Sequence, residues 1–187
     1  MTSAQRDFLP GRSARAAAQR AVDLLAVLLA PDPSVASVRA VLEAHGETSV
    51  ELAPSDVASL REAASELREV FAARDAGEAA EVLNRLLARY AHPPRLTDHA
   101  DGFGWHLHVD ADDDGPWGAW LVTSSALALA VLLADRQAPP GGLCAASGCG
   151  KPFVHLGGGS PRRYCSTRCA TRERVAAHRR GRSPAAQ

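Results

Sequence analysis

Residues 144–182 read CAASGCGKPFVHLGGGSPRRYCSTRCATRERVAAHRRGR. The stretch holds all four cysteines of the chain, Cys144, Cys149, Cys165 and Cys169, in the spacing C-x4-C-x15-C-x3-C. Two close thiol pairs joined by a short loop are what a tetrahedral four-cysteine zinc site needs: each pair supplies two thiolates from one tight turn, and the loop brings the pairs together. Gly148 and Gly150 flank Cys149 and let the backbone curl, pointing N–H groups at the sulfurs. Phe153 supplies one apolar plug, and Gly157, Gly158 and Gly159 read as a hairpin tip. Cys165 and Cys169 are four residues apart and share one face of a helix. Knuckle, hairpin and then a helix carrying the second pair describe a treble-clef-like finger.

Two other readings of the cysteines exist, a pair of disulfides or four unrelated buried thiols. Disulfides belong to oxidising compartments, and the N-terminus, with Arg6, Arg12, Arg15 and Arg20, has no continuous apolar core ahead of a cleavage site. The expectation is therefore one structural zinc ion and a cytoplasmic protein. Four thiolates close the coordination shell and leave no position for a catalytic water.

Working outward, the zero net charge hides an asymmetry. Residues 1–142 carry 12 arginines against 20 acidic residues, a net of −8, and residues 143–187 carry nine basic residues against Glu173, a net of +8. An acidic body and a basic tail suit different partners. After a loose 1–12, the pattern is helical from Ser13 to Pro31. It is helical again from Asp32-Pro33 (Asp as N-cap, Pro at the first helical position) to Gly46. Two further helical stretches follow, from Pro54 to Gly77 and then through Val82, Leu86, Leu87 and Tyr90 to Pro93-Pro94. The period then changes to two: Trp105, Leu107 and Val109 alternate with His106, His108 and Asp110, a strand whose apolar face should meet the core. Asp101-Gly102 reads as a turn, with Leu96 on a partner strand. An apolar helix from about Trp117 to Asp135 follows, its Leu121–Ala134 run too short for a membrane span. The fold predicted is mainly α: a helical N-terminal domain over 1–138 with one short β-hairpin, a linker at 139–143, and the zinc finger at 144–182.

The body shows little chemistry. His106 and His108 could be a metal pair, yet period two places them without any ligand. Asp110-x-Asp112-x-Asp114-Gly115 matches the first half of a calcium loop, but Leu121 stands where its bidentate Glu should be, so the segment reads as an acidic turn. Ser124 and Ser125 lie inside the apolar helix, packed or bonded back to carbonyls. With no catalytic constellation, the expectation is a protein that is not an enzyme.

The tail is different. Eight arginines lie between Arg162 and Arg182. At 100° per residue, Arg168, Arg172 and Arg179 fall in one narrow arc beside the cysteine pair, while Arg174 points the opposite way. Such a stripe offers guanidinium forks to phosphates or guanine edges. Arg162, Arg163, Arg180 and Arg182 extend the basic surface, with Arg162, Arg163 and Arg182 read as phosphate contacts that set affinity and not sequence choice.

The run from Arg163 through Tyr164, Cys165, Ser166, Thr167, Arg168, Cys169, Ala170 and Thr171 to Arg172, preceded by Cys144 and Cys149, resembles the bacterial CGNR zinc-finger family. The helical region with its late hairpin resembles that family's N-terminal domain, known as ABATE. The resemblance implies zinc on the four cysteines, DNA as the partner of the finger, and a role in stress-induced transcription regulation. It departs at the motif that names the family, where Ala170-Thr171 replaces Gly-Asn between Cys169 and Arg172. The expected function is a DNA-binding transcription regulator whose helical domain senses a signal or forms a homodimer. The alternative is a zinc-stapled protein-interaction module without DNA binding, in which the arginine helix docks on an acidic partner. An enzyme using the His106/His108 face is a third reading, which a second metal per chain would mark.

Overall fold

The computed structural model describes residues 14–47, 50–98, 105–113, 115–157 and 161–182, without the side chains of 181 and 182. The loose segment 1–12, the Asp101-Gly102 turn, Asp114, Gly158, Gly159 and the Arg182 side chain lie outside the described residues. Among the described residues ten elements follow in order: α1 (Ala14–Leu28), α2 (Val35–Ala44), α3 (Pro54–Ala72), α4 (Ala76–Tyr90), β1 (Arg95–Thr97), β2 (His106–His108), α5 (Trp117–Arg136), β3 (Gly141–Leu143), β4 (Pro152–Val154) and α6 (Thr167–Arg182). The protein is mainly helical with two short antiparallel strand pairs and a C-terminal cluster of four cysteines.

Side-chain caps set the helix starts. The N-cap of α2 is Ser34, not Asp32: the Ser34 hydroxyl accepts from the Ser37 N–H at 3.1 Å, and the Ser37 hydroxyl reaches back to the Ser34 N–H at 3.2 Å. This reciprocal box satisfies two orphan donors and outcompetes the Asp-Pro start. Pro54 opens α3 as expected, with the Asp56 carboxylate accepting from the Ala53 N–H at 2.8 Å. Asp75 caps α4 through the Glu78 N–H at 2.9 Å.

Helix α5 is the centre of the body and packs against α1, α3 and α4. Its Leu121, Val122, Ala126 and Leu129 are fully buried, against Leu24, Leu25, Leu28, Leu60, Leu67 and Phe71 among others. The expectation that this segment is too short for a bilayer is corrected. The helix has 20 residues and contains an 18-residue window with a mean hydropathy of 1.8, long and apolar enough to cross one, and half of that window is buried inside the protein. Arg20 is buried beneath the same helix, its guanidinium 2.5 Å from Glu47 and stacked 4.5 Å over the Trp120 ring. Burial lowers the Arg20 pKa, opposed by the Glu47 charge.

The ribbon of β1 and β2 puts Leu96 on a partner strand as expected, opposite Leu107, but its faces are reversed. Leu96, Leu107 and Trp105 are 65%, 46% and 72% exposed, while Val109 alone of the apolar set is buried. The half-buried side is the polar one. The Arg95 guanidinium bridges Asp110 at 2.7 Å and Asp113 at 2.5 Å, and His108 Nδ1 lies 3.1 Å from Asp110. An ion-pair network, and not apolar burial, has chosen which face turns inward.

Residues 139–143, read above as a linker, contain β3. It pairs with β4 in the register Gly141↔Val154, Gly142↔Phe153, Leu143↔Pro152, so this hairpin closes across the Cys144–Cys149 knuckle. β3 packs on α3 and β4 on α1. Gly141 allows that approach: a Cβ there would stand 2.1 Å from the Phe153 carbonyl oxygen and 2.9 Å from the Phe71 ring. Gly141→Ala is therefore expected to destabilise the protein by about 1–3 kcal/mol, since neither backbone nor buried ring can yield cheaply. Chemical denaturation of the purified variant checks this, and an unchanged midpoint would refute the tight seam.

Candidate metal centre

Backbone bonds shape the knuckle. The Cys144 N–H donates to the Lys151 carbonyl at 2.8 Å and the Cys149 N–H to the Ala146 carbonyl at 2.9 Å. Gly148 and Gly150 take φ of +67° and +59°, with open space where a Cβ would sit. Their role is thus backbone conformation, the left-handed turn that reverses the chain around Cys149. The Ala145 N–H donates to the Arg163 carbonyl at 2.9 Å and ties the knuckle to the segment carrying the second pair.

That pair is aimed by a cap the sequence reading did not single out. Ser166 accepts from the Cys169 N–H at 3.2 Å, starting α6 at Thr167 and leaving Cys165 just outside the helix. The signal was legible as a serine directly before the periodic segment. Around the sulfurs, Cys144, Ala146, Phe153 and Cys169 are buried, with Cys149, Tyr164 and Cys165 packed against them. Phe153 is the plug the sequence suggested.

All four sulfurs lie within 4.8 Å of one another. Cys149–Cys165, Cys165–Cys169 and Cys169–Cys149 are each 3.8 Å apart. A regular tetrahedron with metal–sulfur distances of about 2.3 Å has edges of about 3.8 Å, so these spacings are those of a thiolate zinc site. They are nearly twice a disulfide bond, and all four cysteines are free. The donor set fits one structural zinc ion. Bound there, zinc would supply a closed, non-reactive cross-link between the knuckle and the segment that starts α6. Residues 142–182 match the family model described as CGNR zinc finger. No curated protein matches the chain.

Proton chemistry in the cluster is uneven. Burial pushes the Cys144 thiol up, but the Cys165 and Ala146 backbone N–H groups and the thiols of Cys149 and Cys165 outweigh it, leaving it lowered to about 7. Burial and hydrogen bonds to Cys144, Cys169 and Cys149 push Cys165 up to about 12. Near neutral pH the Cys165 proton leaves only when a metal replaces it, so zinc uptake releases protons and zinc affinity falls as pH drops.

The arginines of the expected basic stripe do not share one role. Arg172 turns back and donates from Nη2 to the Ser147 carbonyl at 2.8 Å, while the Glu173 carboxylate accepts from the Ser147 N–H at 2.8 Å. One helix turn of α6 thus grips the N–H and the C=O of a single knuckle residue. Neither Ser147 nor the structural use of Glu173 was visible in the sequence, because both depend on the knuckle folding onto the helix. Arg162 donates to the Val154 carbonyl at 2.5 Å and lies 5.4 Å over the Phe153 ring. Arg163 lies 5.9 Å from the Tyr164 ring. Arg168, Arg179 and Arg180 are exposed on α6, as is Arg174.

Elsewhere, His108, Asp110 and Asp113 bring their ligand atoms within 4.8 Å of one another, with the Arg95 guanidinium between the two carboxylates. The His106 and His108 rings meet edge to face, 4.8 Å apart. Leu121, at the position where a calcium loop needs its Glu, is fully buried in the body.

Cys165→Ser, or a strong chelator, is expected to remove stoichiometric zinc and the fold of residues 144–180 while the helices around α5 persist. Elemental analysis with circular dichroism checks it; a finger that stays folded without metal would refute it. Arg172→Ala is expected to speed zinc transfer to a competing chelator, having left the Ser147 carbonyl without its charged donor, a loss of about 1–3 kcal/mol. An unchanged transfer rate would remove the clamp.

Proposed function

We propose that this protein is a DNA-binding transcription regulator in which the zinc centre mounts α6 against nucleic acid. The observation that carries the reading is the state of α6. It is 16 residues long, holds six arginines against Glu173, and packs extensively on no other helix among the described residues. Arg168, Arg174, Arg179 and Arg180 are exposed and form no ion pair with a carboxylate among the described residues. An isolated helix of this length is marginal in water, and the mutual repulsion of its arginines weakens it further. A polyanionic surface would neutralise that charge, and the zinc-held N-terminal turn would set the angle of approach. Arg172 and Arg162 support the finger, so base or phosphate contacts fall to Arg168, Arg179 and Arg180, with Arg163 at the edge. The acidic body would keep the rest of the surface off the phosphate backbone. In this reading the body is the ABATE-like part that senses a stress signal, the protein works in the bacterial cytoplasm, and it performs no catalysis.

A second reading is favoured by one observation. Leu96, Leu107 and Trp105 form an exposed apolar strip on the β1–β2 ribbon, a surface suited to self-association or to a protein partner. A zinc-stapled interaction module would use that strip together with the basic helix.

Fluorescence anisotropy with duplex DNA across a salt series separates the two. Affinity is expected to fall steeply with salt, and Arg168→Gln with Arg179→Gln should lower the log–log slope by about 2. Salt-independent binding, or none, alongside a dimer in sizing measurements would favour the interaction module.

A further inference from the structure

A cleft of about 370 Å³ runs along the seam between body and finger, and nothing so far has used it. One wall is the C-terminal end of α3, Phe71, Ala72 and Ala73, and the other is the finger: Gly141, Gly142, Leu143, Ala145, Phe153, His155, Arg162 and Arg163. Its floor is aromatic and aliphatic. Its polar side is wholly basic, and no carboxylate lines it.

The charge on that side is uncompensated. Arg162 spends Nη2 on the Val154 carbonyl, and Arg136, outside the lining but bonded to its His155, spends Nη1 on the His155 carbonyl at 3.1 Å and the Gly157 carbonyl at 2.7 Å. Arg163 makes no ion pair among the described residues. Each guanidinium carries five donors, so backbone carbonyls leave most of them unfilled. Burial lowers the His155 pKa first, and the Arg136 and Arg162 charges lower it further, as expected where positive charges meet without an acid. Glycine at 141 and 142 keeps side chains out of the β3 wall.

We propose that this cleft binds a small organic anion, its carboxylate or phosphate head on Arg162 and Arg163 and its apolar body against Phe71, Leu143 and Phe153. A flat apolar floor with one charged edge suits an aromatic or short aliphatic acid. A phosphodiester chain, polar along its whole length, would leave the floor unused. The walls come from α3 and from the finger, so an occupant ties the two together and raises the stability of both. The site stands whether or not α6 meets DNA.

Full-length zinc-loaded protein titrated with benzoate, phenyl phosphate, inorganic phosphate and benzyl alcohol, followed by amide shifts, tests it. Saturable shifts at Gly141, Gly142, Leu143 and Ala145 are expected with benzoate or phenyl phosphate, and the tighter of the two identifies the head group. Benzyl alcohol and inorganic phosphate should each bind at least about tenfold more weakly, having lost the charge or the apolar body. Arg163→Gln should weaken binding by a similar factor with zinc content unchanged. Ala72→Glu, an exposed change that places a carboxylate in the cleft, should do the same without touching either arginine. Equal binding of benzyl alcohol, shifts confined to α6, no saturation, or indifference to both substitutions would each overturn the proposal.

Discussion

Four sulfurs within 4.8 Å of one another are the constraint on which the C-terminal finger depends. The segment is rich in glycine and in like charge, and it buries little besides Phe153 and the cysteines themselves. Burial on that scale does not hold some 40 residues in one conformation. A zinc ion joining four thiolates replaces the missing core and aligns the knuckle with the start of α6. Everything α6 can do follows from that alignment, because among the described residues the helix has no other extensive support.

The finger is not merely tethered to the body. β4 has side chains on both faces: Phe153 enters the cysteine cluster and Val154 enters the helical core. One three-residue strand is thus a wall shared by two cores. Its partner β3 reaches α3 only because Gly141 has no side chain. The seam sets the finger against the body and opens the basic cleft beside it.

Arginine does three jobs within twenty residues. Arg162 and Arg172 complete the backbone of the finger, Arg163 faces the cleft, and Arg168, Arg174, Arg179 and Arg180 face solvent. A helical wheel groups Arg168, Arg172 and Arg179 by angle alone. It cannot register that the knuckle lies against one turn of the helix and captures Arg172. The same limit applies to the β1–β2 ribbon. Alternation located the strand and its pairing, while the inward face was chosen by Arg95 and its two aspartates, contacts between residues up to 18 positions apart.

Legible in the sequence were the metal centre, the helix that begins at its second thiol pair and carries Cys169, the helical body with its late hairpin, and the concentration of positive charge at the end. These rest on local spacing, on period and on composition, all of which are properties of neighbours along the chain. Only the tertiary structure decided that 141–143 is a strand, that the hairpin closes at the knuckle, that Arg172 and Glu173 clamp Ser147, and that a basic cleft lies between α3 and the finger. Each of these is a contact between segments distant in sequence, and such contacts are fixed by packing and by which buried polar groups find partners, information that no local pattern holds.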